Sequence, residues 1–123
     1  MSDNRCIAIE AYERVIMAFD SSQVDRYFSS GYIQHSSLAA DGVAALKAFL
    51  DQARRDYPLA CTVIRRVLVD GDYVMFHVHT VLRPGDAGFA VVDIFRMEDG
   101  KVAEHWDVIQ PVPLEALNPN GMF

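Results

Sequence analysis

Phe89-Ala-Val-Val-Asp93-Ile-Phe-Arg-Met-Glu-Asp-Gly100-Lys-Val-Ala-Glu-His105-Trp-Asp107 decides how this chain folds. Apolar β-formers flank Glu98-Asp99-Gly100, so the stretch reads as two strands joined by a tight turn. Two carboxylates and an imidazole stand where a hairpin usually carries only Val and Phe. Side chains alternate between faces along a strand. Asp93 therefore shares a face with Phe89, Val91, Phe95 and Met97. On the next strand His105 and Asp107 share a face with Ala103 and Ile109, and Trp106 lies on the other with Val102, Glu104 and Val108.

Turn length decides which set joins Asp93. A two-residue loop, Asp99-Gly100, pairs Glu98 with Lys101 and sets Asp93 opposite Trp106. A three-residue loop, Glu98-Asp99-Gly100, pairs Met97 with Lys101 and sets Asp93 opposite His105, with Asp107 on the same side. The three-residue form needs one left-handed residue, which Gly100 supplies at least cost. The two-residue form asks Asp99 for positive φ as well. Turn chemistry favours the longer loop, and the shorter one stays open. In the favoured register Val91, Asp93, Phe95, Ala103, His105, Asp107 and Ile109 form a pocket face. There an apolar wall and like-charge repulsion raise at least one carboxyl pKa. The structural alternative pairs Asp93 with a buried arginine such as Arg66 or Arg96.

Upstream the period is helical. Ile7, Ala8, Ala11, Tyr12, Val15, Ala18 and Phe19 fall on one stripe of a helix over residues 3–19, capped by Asp3 or Asn4. Ser21 or Ser22 caps a short second helix that Ser29-Ser-Gly31 stops, and Tyr32–His35 is briefly extended. Asp41 caps a third helix whose apolar side is Val43, Leu46, Phe49 and Leu50, ended by Tyr57-Pro58. The period then changes to two: strands over Cys61–Val69, Tyr73–Arg83, Phe89–Met97 and Val102–Gln110 make a four-strand meander. Helices first and a meander afterwards predict an α+β fold, a curved antiparallel sheet around N-terminal helices with an internal pocket. The chain fits one domain over residues 1–123, with an irregular tail from about residue 111.

Among 123 residues, 51% are apolar, enough for a core. A formal charge of −6, from 11 basic and 17 acidic side chains, argues against non-specific nucleic-acid or anionic-membrane binding. Arg54-Arg55 and Arg65-Arg66 read as a solvated helix end and a strand edge. Cys6 and Cys61 form no framework and are expected reduced and buried. The first residues lack the apolar stretch of a signal peptide and no run reaches membrane-spanning length, so a soluble cytoplasmic protein is expected.

The stretch Val92–Asp107 resembles the SnoaL-like polyketide cyclases, as do Tyr32-Ile-Gln-His35 and Asp41-Gly42 with the helix behind it. The likeness covers roughly residues 5–112. The wider superfamily, the nuclear-transport-factor-two-like fold, also holds ketosteroid isomerase and limonene epoxide hydrolase. The resemblance implies a cone-shaped α+β barrel with a deep pocket, often dimeric through the outer sheet face. In the cyclases an Asp matching Asp107 is the acid/base residue of an intramolecular aldol closure. Their assisting His falls where this chain has Asp93, which instead resembles the protonated pocket Asp of ketosteroid isomerase.

These readings nominate Asp107 as a base, Asp93 as a neutral donor to an enolate and His105 or His35 as an orienting or relaying group, acting without metal or organic cofactor. The expected ligand is a small hydrophobic carbonyl compound. The alternative is a non-catalytic binding or dimerisation domain on the same fold. His35 is a candidate for the pocket mouth, and Phe95 for its lining. His79 would sit across from Asp93 if the loop between their strands has odd length. Trp106 is a pocket wall in one register and, with Val92, Ile94 and Val108, part of an apolar dimer face in the other. His77-Val-His79 places two imidazoles on one side, as metal ligands would be; no Glu follows, though Asp93 and His105 could complete a set. One of them is expected to reach the pocket.

Overall fold

The computed structural model describes residues 3–123; Met1 and Ser2, part of the stretch read for a signal peptide, lie outside them. The first helix, α1 (Asn4–Ala11), is capped by Asp3, whose carboxylate accepts the amides of Arg5 and Cys6. It runs on into a π-helical turn, Tyr12–Met17. A single 3-10 turn, Ser21–Gln23, follows; its cap is Asp20, not Ser21 or Ser22, and Asp20 takes the Ser22 amide at 3.0 Å. The short helix α2 (Val24–Tyr27) then gives way at once to strand β1 (Phe28–Gln34). Ser29-Ser-Gly31, read as a helix stop, is therefore sheet.

Helix α3 (Val43–Asp56) buries Leu46, Leu50 and Ala53, while Phe49 is partly exposed. Asp41 does not cap it. Gly42 stands at the cap with φ 92°, and the Asp41 carboxylate instead holds the Gln34 amide at 2.8 Å. Four strands follow: β2 (Cys61–Asp70), β3 (Tyr73–Val81), β4 (Phe89–Glu98) and β5 (Lys101–Pro111). The sheet order is β1-β5-β4-β3-β2, so the expected meander gains a fifth strand at its β5 edge. That strand runs parallel to β5, with Gln34 beside His105, and the other pairs are antiparallel. The result is α+β: a five-stranded, curved, unclosed sheet with helices on one face.

The β4–β5 turn corrects the expected loop. Asp99 (φ 51°) and Gly100 (φ 74°) are both left-handed, and Glu98 pairs with Lys101 across a two-residue turn. A bulge then restores the parity. Met97 pairs with Val102 but Arg96 pairs with Glu104, so Ala103 is the extra residue, and Val102 and Ala103 are both buried. Beyond it Asp93 lies opposite Asp107, Phe95 opposite His105 and Ile94 opposite Trp106. Asp93, His105 and Asp107 thus share a face, two residues out of the expected register.

The core lies between this face and the helices. Tyr12 stacks on Phe76 at 4.5 Å between centroids, and Phe28 and Phe95 close around them. Burying such rings gives each roughly 1.5–3 kcal/mol. Cys6 and Cys61 are both exposed, against expectation, because Cys6 faces outward on α1 and Cys61 opens β2. Among the described residues no helix is long and apolar enough to cross a membrane. Beyond Pro111 the described chain has no helix or strand, yet Phe123 returns to stack on His77 and His79.

Candidate active site

Asp93 is the centre of a buried hydrogen-bond chain. Its side of β4 packs against the first helix, and from the π-helical turn that extends this helix the Tyr12 hydroxyl donates to Asp93 Oδ2 at 2.5 Å. His105 Nε2 meets Asp93 Oδ1 at 2.7 Å, and His105 Nδ1 meets Gln34 Oε1 at 2.7 Å. The sheet explains the meeting: β4 carries Asp93, the antiparallel β5 carries His105 on the same face, and the parallel β1 sets Gln34 alongside His105. Asp93 and His105 are 6% and 8% exposed. Burial at this depth is tolerable because every polar atom of the pair has a partner.

Asp107 completes the cluster. One donor atom each from Asp93, His105 and Asp107 lies within 4.8 Å of the others, and Asp107 is only half-buried. The row opens to solvent beyond it, where Ile109 is 38% exposed. The same three groups have ligand chemistry for a cation. However, both Asp93 oxygens and both His105 nitrogens are already engaged, so a metal would have to displace these bonds.

The charges are felt by two phenols. Burial pushes the Tyr12 hydroxyl well above its usual range, and the carboxylate of Asp93 and then that of Asp107 push it further. Tyr32 moves up for the same reasons, burial first, then Asp93 and Asp107. Both phenols stay neutral at ordinary pH.

Phe95 is fully buried on the site face, its ring edge-on to His105 at 5.5 Å. Three other candidates point away. His79 pairs with Ala90, not Asp93, because the odd-length loop that would align them does not form; Phe76 holds that position. His79 Nε2 bonds the Ala87 carbonyl at 2.8 Å on the outer face. His77 lies beside it, bonded to Arg66, so neither imidazole reaches Asp93. Among the described residues Asp93 has no arginine partner, as Arg66 and Arg96 face outward. Trp106 and His35 stack in parallel at 4.9 Å on the outer face, where His35 meets Glu104 at 2.6 Å and Arg96 meets it at 2.9 Å. Those bonds, from His35 first and Arg96 next, hold the Glu104 carboxyl below its usual range. Contact of His35, His79 or Trp106 with a ligand on the inner face is thus corrected by strand parity.

The expected pocket over Asp93 is filled at this depth by Tyr12, Phe76 and Phe95. An open surface depression of about 770 Å³ lies instead along α1, lined by Cys6, Ile9, Glu13 and their neighbours, and contains none of the site residues. Tyr12 and Gln34 are the site residues the sequence reading missed. A Tyr in an apolar stripe was the available signal, since a buried phenol needs a partner.

A family model described as a SnoaL-like domain matches residues 9–105. No curated protein matches the chain. Solved structures do. TsrD from Streptomyces laurentii is 20% identical, with 89% of this chain and 91% of that one covered at a TM-score of 0.70. A candidate polyketide cyclase from Acidithiobacillus ferrooxidans is 16% identical, covering 89% of each chain at 0.70. A candidate ketosteroid isomerase from Kribbella flavida is 20% identical, covering 96% of this chain and 83% of that one at 0.70. At these identities the structures establish the shared fold, and the matched domain, which spans most of the chain, shows that the chain belongs to the SnoaL-like family.

Proposed function

We propose that the protein is an acid/base enzyme that acts, without a cofactor, on a small hydrophobic compound with an enolisable carbonyl group. The observation that carries this reading is the pairing of a half-buried carboxylate, Asp107, with a buried Asp93–His105 couple within 4.8 Å. One group is free to take a proton from carbon, and the other is built to hold one. Asp107 is the base, approached from the Ile109 end of the row. The Asp93–His105 couple, oriented by Tyr12, holds the proton that steadies the enolate oxygen once the substrate takes the place of one of its present bonds. Aldol-type ring closure and double-bond isomerisation both pass through such an enolate. Asp107→Ala should abolish turnover of enolisable ketones while circular dichroism and the melting temperature stay near wild type. Retained turnover in that variant removes the assignment.

A specific observation favours a second reading. The rings that fill the interior leave Asp93 with both oxygens satisfied, which suits a binding or dimerisation domain whose polar chain serves only packing. Absence of turnover with a broad ketone panel, alongside a measurable affinity for the same compounds, supports it.

The outer face is a proposed homodimer surface. Val63, Leu68, Tyr73 and Val108 are exposed there, next to Trp106. Light scattering should then give twice the mass of one chain, and Val108→Asp should halve it; a monomeric wild type refutes the dimer. Cytoplasmic location is likewise proposed, and recovery in a membrane or secreted fraction would contradict it.

A further inference from the structure

We propose that Gln34 is a positioning residue that fixes His105 as the Nδ1–H tautomer, so that the His105–Asp93 contact holds a single exchangeable proton. The proposal rests on the functional reading above, which needs a proton donor beside Asp107.

The argument starts at Ser36. Its backbone N–H donates to Gln34 Oε1 at 3.0 Å. A backbone N–H can only donate, so the amide atom it faces must be the oxygen, and the Gln34 orientation is determined. The same oxygen lies 2.7 Å from His105 Nδ1. A carbonyl oxygen can only accept, so Nδ1 carries a hydrogen. Nε2 then has two options against Asp93 Oδ1, 2.7 Å away. It is a bare base facing a protonated Asp93, or it carries a second hydrogen and faces a carboxylate. Both arrangements contain the same number of protons, and the second Asp93 oxygen is held by Tyr12 in each. The couple can therefore give up or regain one proton without turning the ring or changing tautomer.

Gln34 is itself built in. Its backbone N–H donates to the Asp41 carboxylate at 2.8 Å, the His35 backbone N–H donates to the His105 carbonyl at 2.9 Å, and Ser36 is buried. Without an acceptor at Nδ1 a third arrangement opens: a neutral ring with its hydrogen on Nε2, donating to ionised Asp93. That state holds one proton fewer, and the donor is spent before substrate arrives.

Long-range proton–nitrogen correlation of the His105 ring in the nitrogen-15-labelled chain tests this directly. The wild type should show Nδ1 in the protonated range. In Gln34→Met, Nδ1 should move to the bare-nitrogen range and Nε2 become the protonated one. Gln34→Glu, which keeps an oxygen acceptor, should restore protonated Nδ1. With an active substrate, Gln34→Met should lower kcat and leave KM near wild type. A bare Nδ1 in the wild type overturns the proposal, and the wild-type spectrum decides it even where Gln34→Met fails to fold. A Gln34→Met ring indistinguishable from wild type also overturns it. Absence of turnover by the wild type counts against the functional reading instead, so the two failures appear in different experiments.

Discussion

Tyr12→Phe isolates the hydrogen bond at the centre of the site. The substitution keeps the ring that stacks on Phe76 at 4.5 Å and 17°, and it removes only the hydroxyl that donates to Asp93 at 2.5 Å. Tyr12 is 2% exposed, so water does not replace the lost donor without rearrangement. A hydrogen bond to a charged group contributes about 1.5–3 kcal/mol, and a buried acceptor left unpaired costs on the same scale. Asp93 keeps its bond to His105, which places the expected loss near the middle, about 2 kcal/mol. That is a large share of the roughly 5–15 kcal/mol stability of a small domain. With a urea slope of roughly 2 kcal/mol/M, the midpoint should fall by about 1 M at unchanged slope. A midpoint within about 0.2 M of wild type would refute the reasoning, because the bond would then contribute little net free energy.

Two further outcomes follow from the same structure. Tyr12 and Tyr32 are raised above the usual value of 10.0 by burial and by the Asp93 and Asp107 charges. Their contribution is fully present below about pH 10 and is lost as pH rises through the folded values, so the urea midpoint should fall on the alkaline side and fall less in Tyr32→Phe. Gly88→Ala should destabilise by roughly 3 kcal/mol or more, because a Cβ there would stand 2.4 Å from the Thr80 carbonyl at φ +80°. Gly100→Ala, also at positive φ but in open space, should cost only about 1 kcal/mol; equal thermal melts for the two would contradict this.

The convergence of Asp93, His105 and Asp107 was legible from alternation, but the route to it was not. Turn chemistry disfavoured positive φ at Asp99, and the chain adopts it; the bulge at Ala103 then offsets the shorter loop. Nothing local in Lys101-Val-Ala-Glu announces that bulge. It is set by what both faces of β5 must bury. The outward side of Trp106 was readable by parity, whereas His35 was not, because its side depends on a parallel pairing between segments far apart in sequence. Gln34 escaped notice for the same reason. Tyr12 looked like core and is core, and only the packing of the π-helical turn over β4 shows that its hydroxyl serves Asp93. Ser29-Ser-Gly31 has low strand propensity and lies in the irregular stretch of β1 between the Phe28–Val102 and Ile33–Glu104 pairs, which hold it in the sheet from either side.

Solvent-deuterium exchange at the α-carbon of simple cyclic ketones, followed by proton NMR for wild type and Asp107→Asn, tests the central claim most directly. Asn keeps the size and half-buried setting of Asp107 and removes only its capacity to take a proton. The account predicts exchange above the buffer rate with wild type and a fall of about 10²-fold or more in the variant. Equal exchange by the two proteins, or none above buffer by the wild type, would contradict it.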